Sequence, residues 1–254
     1  MLPAESEAVW RGILMGSDAR YRRARGLFKH FPGTPRCKLC AAPFVGPFAP
    51  LMRARGRSRW AKNPKYCGVC YGMLEQVQGG AEIPCTLMFA DMRGSTSLAE
   101  RVGATEFKRL LSGFYETAGR VLVAHDGIVD KFVGDEVMGI FIPALAQERH
   151  AARAIDAATT LIRETQAAGL PIGAGVHTGD AFVGGVGEPP ITEFTALGDV
   201  VNTAARLASA AGAGEVLVSV DAGRSAGLEM AGLERRSLEL RGKSLPTEVV
   251  VVKP

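Results

Sequence analysis

Ile128-Val129-Asp130-Lys131-Phe132-Val133-Gly134-Asp135-Glu136-Val137-Met138-Gly139-Ile140-Phe141 is the stretch on which the fold turns. Two apolar, β-branched runs flank Gly134-Asp135, the short-range signature of a β-hairpin. A glycine at the tip lets backbone approach a ligand closely, and a carboxylate beside it suits a hard cation. Gly-Asp is also ordinary turn chemistry. The meaning of Asp135 therefore depends on what the rest of the chain places around it.

Upstream, Ile83 to Ala90 is an apolar run that reads as a buried strand ending at Asp91, with Cys85 inside it as a core residue. Residues 96–124 read as helix, with Leu98, Val102, Phe107, Leu110, Leu111, Phe114 and Val121 near helical spacing. Downstream of the hairpin, 145–168 is Ala-rich and helical. Strands are expected at 171–177 and 181–186, an edge at 191–197, a helix from Asp199 to Ala210, and strands near 215–220, 233–240 and 247–252. The order strand, helix, hairpin, helix, strand is not the alternation of a doubly wound parallel sheet. It predicts the α+β class, a ferredoxin-like βαββαβ sheet with helices on one face.

In that layout the first strand pairs beside the hairpin, so Asp91 and Asp135 converge at adjacent strand ends. Two carboxylates there suit one or two divalent cations, and two cations about 3.5–4 Å apart clamp the attacking and leaving oxygens of a phosphoryl displacement. Gly94-Ser95-Thr96 opens the following helix, whose free N–H groups and positive dipole end make a phosphate cradle. Metal site and cradle side by side point to a nucleoside triphosphate. Asn202 and Arg206, four apart, share one helix face. An amide and a guanidinium so placed can orient a ribose and neutralise a reacting phosphate, although an exposed polar helix face looks the same.

The chain has 254 residues, 47% of them apolar, enough for a sizeable core. No apolar run reaches about 18 residues and no signal-peptide pattern is present, so a soluble, cytoplasmic protein is expected, without direct membrane insertion and attached to a membrane only through a partner. The net charge of +4 is uneven: residues 1–84 carry 14 Lys/Arg against 5 Asp/Glu, and residues 85–254 carry 16 against 21. A basic module, 1–80, joined to a mildly acidic domain, 81–254, follows, with Gln78-Gly79-Gly80 as the joint. Residues 4–29 read as a basic helix. Arg20, Arg22, Arg23 and Arg25 could form a phosphate-binding arm, but a solvated helix or dimer contact is the plainer reading, and nucleic acid is not the expected partner.

Within the basic module stand Cys37-Lys38-Leu39-Cys40 and Cys67-Gly68-Val69-Cys70. Paired Cys-x-x-Cys in a cytosolic chain favours a metal over disulfides. Four thiolates complete a tetrahedral zinc site or hold an iron–sulfur cluster such as 4Fe-4S. The 26 residues between the pairs show little periodicity, so a metal would hold the segment together. Zinc is the first choice. Pro43, Phe44, Pro47, Phe48, Tyr66 and Tyr71 would also give a redox cluster an apolar shell.

From about 84 to 252 the chain resembles the class III nucleotidyl cyclases, most closely the bacterial adenylate cyclases. The resemblance is carried by F-A-D-M-R-G-S-T (89–96), K-F-V-G-D (131–135), G-V-H-T-G-D (175–180) and T-A-L-G-D-V-V-N-T-A-A-R-L (195–207), with R-G-K at 241–243. It implies that Asp91 and Asp135 bind two Mg2+ or Mn2+ ions, that Lys131 reads the adenine edge, and that Thr195 is a second adenine contact, Thr here being the mark of one bacterial subgroup. It implies further that Asn202 orients the ribose, that Arg206 stabilises the transition state, and that Lys243, or second Arg241, meets the triphosphate. The 3′-hydroxyl of ATP would attack the α-phosphate and pyrophosphate would leave. Each active site would form between two copies of a homodimer, the two aspartates from one and Lys131, Thr195, Asn202 and Arg206 from the other. Lys131 donates and Thr195 accepts, which suits adenine's N1 acceptor and 6-amino donor, whereas a guanine site offers a carboxylate.

The N-terminal cysteine module lies outside that resemblance. It is expected to sense metal occupancy or redox state and to pass the signal through residues 71–78, Y-G-M-L-E-Q-V-Q. Two other readings compete. Val133-Gly134-Asp135-Glu136-Val137 echoes the diguanylate cyclase hairpin, but Val133 departs from it and Asn202 and Arg206 have no role there. The other is a metal-binding, nucleic-acid-associated regulator with a degenerate cyclase domain. Against that, both aspartates and the Asn/Arg pair are present. A guanylate cyclase remains the substrate alternative.

Overall fold

The computed structural model describes residues 3–61, 64–76, 79–188, 191–243 and 245–254. The backbone falls into two compact units. One comprises Met1–Ile83, Ile142–Gln147 and Ala181–Leu197; the other Pro84–Phe141, Glu148–Asp180 and Gly198–Pro254.

The N-terminal helix expected over 4–29 is two helices, α1 (Pro3–Leu14) and α2 (Ala19–Phe28). Gly16 at φ +74° breaks the run, and Asp18 restarts it by accepting from the N–H groups of Arg20 and Tyr21. Two short helices follow, α3 (Ala49–Ala54) and α4 (Gly68–Gln76). Of the joint, Gln78 lies outside the described residues, as do Val77 and Gln78 of the expected coupling segment. Gly79 and Gly80 open β1 (Gly79–Met92).

After β1 come α5 (Ser95–Val102), α6 (Ala104–Ala124), β2 (Ile128–Val133), β3 (Glu136–Phe141), α7 (Pro143–Ala146), α8 (His150–Ala167) and β4 (Ile172–Glu188). Then follow β5 (Ile191–Leu197), α9 (Asp199–Ala210), β6 (Val216–Ser219), α10 (Val220–Ala226), β7 (Glu234–Leu238) and β8 (Thr247–Val252). The strand order is β2-β3-β1-β4-β6-β8-β7, with β5 on β4. Its first four positions are the ferredoxin-like arrangement.

Three further sequence expectations change. Residues 96–124 form two helices because Gly103, at φ +77°, stops α5 and starts α6. The two strands expected at 171–177 and 181–186 are one strand, β4; Gly179 inside it weakens the apolar pattern without breaking the backbone. Helices do not occupy one face alone. The period of two splits β4 and β6: Ala174, Val176, Val216 and Val218 join the core under α6, α8 and α10, while Leu217 joins Leu207 and Ala211 under α9.

The two glycines of G-V-H-T-G-D explain how α9 lies so close. A Cβ on Gly175 would stand 2.3 Å from the Ala208 nitrogen and 2.5 Å from the Ala204 oxygen, and one on Gly179 would stand 2.8 Å from Val200 Cγ2. The motif is thus a packing surface for the helix that carries Asn202 and Arg206. Its His177 is structural as well, Nδ1 lying 2.8 Å from the Ser219 hydroxyl, which caps α10.

Candidate functional site

The register of β1 on β3 settles where the carboxylates stand. Ala90 faces Val137, both in the core, and the next pair is Asp91 with Glu136. Directly opposed residues share a face, so Asp91 and Glu136 point away from that core together. Asp135 occupies the turn between β2 and β3, where Gly134 takes φ +60° and the Met92 N–H donates to the Asp135 carbonyl at 3.2 Å. The Tyr115 hydroxyl donates to the Gly134 carbonyl, and its ring stacks on Phe132 at 4.2 Å, fixing the tip.

Three carboxylates at one strand end repel each other. Burial raises the Asp91 pKa, opposed by Arg93 and reinforced by Asp135. Burial, then Asp91 and Asp135, raises Glu136 to about 7. Such a set is stabilised by a bound cation. Glu136 and Arg93 are the members that sequence reasoning passed over. Glu136 was legible, since it follows Asp135 and must face Asp91 once β1 is paired with β3. Arg93 lies within M-R-G-S-T; its guanidinium pairs with the Asp91 carboxylate and donates to the carbonyls of Ser209 at 3.0 Å and Ala211 at 3.3 Å. It ties the end of β1 to the end of α9.

Gly94, Ser95 and Thr96 stand at the start of α5, with Gly94 as N-cap at φ +68°. No side chain caps this helix, so its first N–H groups remain available. Asn202 is exposed on α9 and Arg206 half-buried one turn on. Lys243 pairs with Asp199 in the first turn of α9, and Gly242 lies against the Arg206 guanidinium, 3.5 Å from Nη2 for a built Cβ. Gly242 thus stands between the Arg206 guanidinium and the Lys243 ion pair, with exposed Arg241 next to it in the chain. Among the described residues, no hydrogen bond or ion pair joins Asn202 or Arg206 to Asp91 or Asp135. Lys131, half-exposed on β2, lies 3.8 Å from Asp130 Oδ2 beside a register shift in the hairpin. Thr195 belongs to the other compact unit: it sits in β5 opposite Gly184 of β4 and is 5% exposed.

The same unit holds the four cysteines. Cys37, Cys40, Cys67 and Cys70 are buried and their Sγ atoms all lie within 4.8 Å of one another, with Cys40 and Cys67 3.8 Å apart. The two Cys-x-x-Cys turns are locked together by backbone: the Lys38 N–H donates to the Lys65 carbonyl at 3.0 Å and the Cys67 N–H to Cys37 Sγ at 3.3 Å. Arg57 Nη1 points into the cluster, 3.3 Å from Cys40 Sγ, with its guanidinium over the Phe28 ring. Contacts among the sulfurs lower the thiol pKa of Cys40 and Cys67 and raise those of Cys37 and Cys70. Tyr66 and Tyr71 are buried against the group and stack at 6.1 Å.

The comparisons with known proteins decide the family. The profile described as "Adenylate and Guanylate cyclase catalytic domain" matches residues 79–252. The chain belongs to this family. Adenylate cyclase 1 of Rhizobium meliloti is 35% identical over 132 residues, which is 48% of this chain and 20% of that protein. The chain therefore spans a fifth of the length of that relative. The crystal structure of the guanylyl cyclase Cya2 superposes with a TM-score of 0.63 at 27% identity, covering 69% of this chain and 94% of that one. The adenylyl cyclase CyaB from P. aeruginosa gives 0.59 at 29%, covering 69% and 97%. The cyclase domain is thus homologous to both adenylate and guanylate cyclases, and no described helix is long and apolar enough to cross a membrane.

Proposed function

We propose that the chain is an adenylate cyclase that converts ATP to 3′,5′-cyclic AMP and pyrophosphate, with residues 81–254 as its catalytic domain and 1–80 as a regulatory module. The observation that carries the reading is the three-carboxylate end of β1 and β3, in a chain whose α9 also presents Asn202 and Arg206. Asp91 and Asp135, joined by Glu136, would hold two Mg2+ or Mn2+ ions, which when bound lower the pKa of the 3′-hydroxyl and offset charge on the phosphates. Asn202 orients the ribose. The 3′-oxygen bonds to the α-phosphorus, the bond to the β-phosphate oxygen breaks, and the hydroxyl proton passes to solvent. Arg206 and Lys243 neutralise the departing pyrophosphate. Lys131 donates to adenine N1 and Thr195 accepts from the 6-amino group.

Among the described residues Asn202 and Arg206 make no bond to Asp91 or Asp135 of their own chain, which supports sites completed by a second copy. Mixing Asp91→Ala with Asn202→Ala, each inactive alone, should recover about a quarter of the activity, because one heterodimer site in two is intact and half the dimers are mixed. No recovery sinks the shared-site reading. Faster turnover of GTP than ATP sinks the choice of purine.

For the cysteines, four thiolates about 2.3 Å from one ion stand about 3.8 Å apart, whereas a four-iron cluster spreads them well beyond that. The observed spacing favours a single zinc ion. A route for regulation exists within that unit. Trp10, 1% exposed, stacks on Phe194 at 6.4 Å, and Phe194 adjoins Thr195. The module thereby packs on the strand that carries the purine contact. Deleting residues 1–75 should change activity; unchanged activity and redox response would end the regulatory reading.

A further inference from the structure

From Ala19 to Leu74 the chain has no Asp or Glu and 13 Lys or Arg. The four cysteines with one divalent ion would remove only two of those charges. Some of the cations are used internally. Arg20 pairs with Asp18, Arg25 and Arg36 donate to backbone carbonyls, Arg57 faces the sulfurs, and Arg59 lies over Phe44. Arg22, Arg23, Lys29, Arg53 and Arg55 are exposed and make no ion pair among the described residues.

Their setting is amphipathic. Tyr21, Ala24 and Phe28 form the inward stripe of α2, which turns Arg22, Arg23, Leu27 and Lys29 outward. Leu27 is 58% exposed and lies four residues after Arg23. On α3, Ala49 and Met52 point inward, while Leu51, 43% exposed, lies four residues before Arg55. On α2 an exposed leucine thus shares a face with an arginine, and on α3 an exposed leucine precedes the exposed Arg55 C-cap by four residues. Phe31 stacks on Phe48, the N-cap of α3, at 4.5 Å and meets Phe28 of α2 in a tilted contact at 5.8 Å, which joins the two helices.

We propose that this face docks on an anionic lipid bilayer, with the arginines and Lys29 at the headgroup phosphates and Leu27 and Leu51 at the acyl boundary. A lipid surface fits better than nucleic acid because the exposed apolar side chains are aliphatic. The rings that could stack on bases are engaged already: Phe31 with Phe48, Trp60 with Tyr71, and Phe44 under Arg59. The docking is peripheral and consistent with the lack of a spanning helix among the described residues. It departs from the sequence expectation that a membrane is reached only through a partner, and it does not depend on the substrate of the cyclase domain.

The test is sedimentation of the full chain with vesicles of phosphatidylcholine alone or mixed with phosphatidylglycerol. Partition onto the anionic vesicles alone is expected, falling steeply with salt. Four charge reversals, Arg22→Glu, Arg23→Glu, Arg53→Glu and Arg55→Glu, should lower it at least a hundredfold, since each surface cation contributes about fivefold. Leu27→Gln with Leu51→Gln should lower it about tenfold while leaving the salt slope unchanged. If the charge reversals prevent folding, judged by circular dichroism and bound metal, the leucine pair and the salt series decide. Equal partition onto neutral vesicles overturns the proposal. So does wild-type binding by the leucine pair, and so does displacement of the vesicles by equimolar duplex DNA or by millimolar inorganic phosphate.

Discussion

The two sites of this chain are held by opposite means. Around the carboxylates, β1 and β3 run in register over six pairs, and Met88, Ala90, Met92 and Val137 bury one face of them under α6 and α8. Alternation places Asp91 and Glu136 on the other face with no further device. Around the cysteines the regular strand pairing shrinks to two isolated bridges, Arg36 with Pro43 and Arg59 with Cys67. Arginine side chains cap the loose carbonyls there: Arg36 alone reaches those of Phe28, Phe31 and Ala41. One site is the by-product of a core. The other would make up, once an ion is bound, for the strand pairing that its segment lacks.

The largest expected effect follows from that contrast. Stripping the proposed metal with a strong chelator, or replacing Cys40 and Cys67 by Ser, should unfold the segment around the cysteines, since a structural zinc ion supplies on the order of 10 kcal/mol to such modules. The sheet around β1, β3 and β6 should survive. Limited proteolysis should then cut within residues 36–67 and spare the sheet strands, and hydrogen exchange should rise in the first region alone. Equal loss in both would show that the sheet leans on the metal.

Next in size is Asp135→Ala. It should lower cyclase turnover by about a thousandfold or more, through lost cation binding. Thermal stability should stay level or rise, because one of three mutually repelling carboxylates is gone. A clear fall in Tm would show that Asp135 serves the turn rather than a cation. Gly175→Val probes the same domain from the packing side. Its side chain would meet the backbone of α9 within 2.5 Å. A loss of about 2–4 kcal/mol is expected by chemical denaturation, together with activity, because α9 must move and carries Asn202 and Arg206 with it.

What was legible in the sequence divides along the same line. The hairpin, β1, α8 and α9 follow from period and turn chemistry, and so does the convergence of Asp91 with the hairpin. The family match and the neighbouring structures agree with the ferredoxin-like core. The joining of 171–177 to 181–186 was hidden because Gly179 and Asp180 interrupt the apolar pattern, while the reason for Gly179 is Val200 on a helix farther along the chain. In the basic module, spacing alone marked the cysteines. It could not show that Arg57 turns into the sulfurs or that Trp10 reaches Phe194. Those contacts join residues far apart in sequence with no period linking them. Glu136 is the instructive omission, since pairing Asp91 with its cross-strand neighbour was enough to find it.

The smallest effect tests whether any polar contact in the sheet approaches the importance of the cysteine site. Glu215, just before β6, accepts from both terminal nitrogens of Arg236 on β7 at 2.8 Å, from the Gly212 N–H at 2.9 Å, and pairs with Lys253 at 3.4 Å. The Arg236 guanidinium is the main cause that holds its carboxyl down at about 2. A carboxyl depressed below its ordinary value near 4.5 binds fewer protons folded than unfolded. Its stabilisation is therefore fully present above about pH 4.5 and is lost as pH falls from there towards 2. Glu215→Gln should cost about 1–2 kcal/mol at pH 7, since Arg236 is partly exposed and solvent screens the pair. The gap between variant and parent should close progressively between pH 4.5 and 2 in urea titrations. A gap independent of pH would assign the loss to packing at β7. A gap as large as that produced by metal removal would break the contrast, because the sheet would then depend on one charged clamp as the cysteine segment is proposed to depend on an ion.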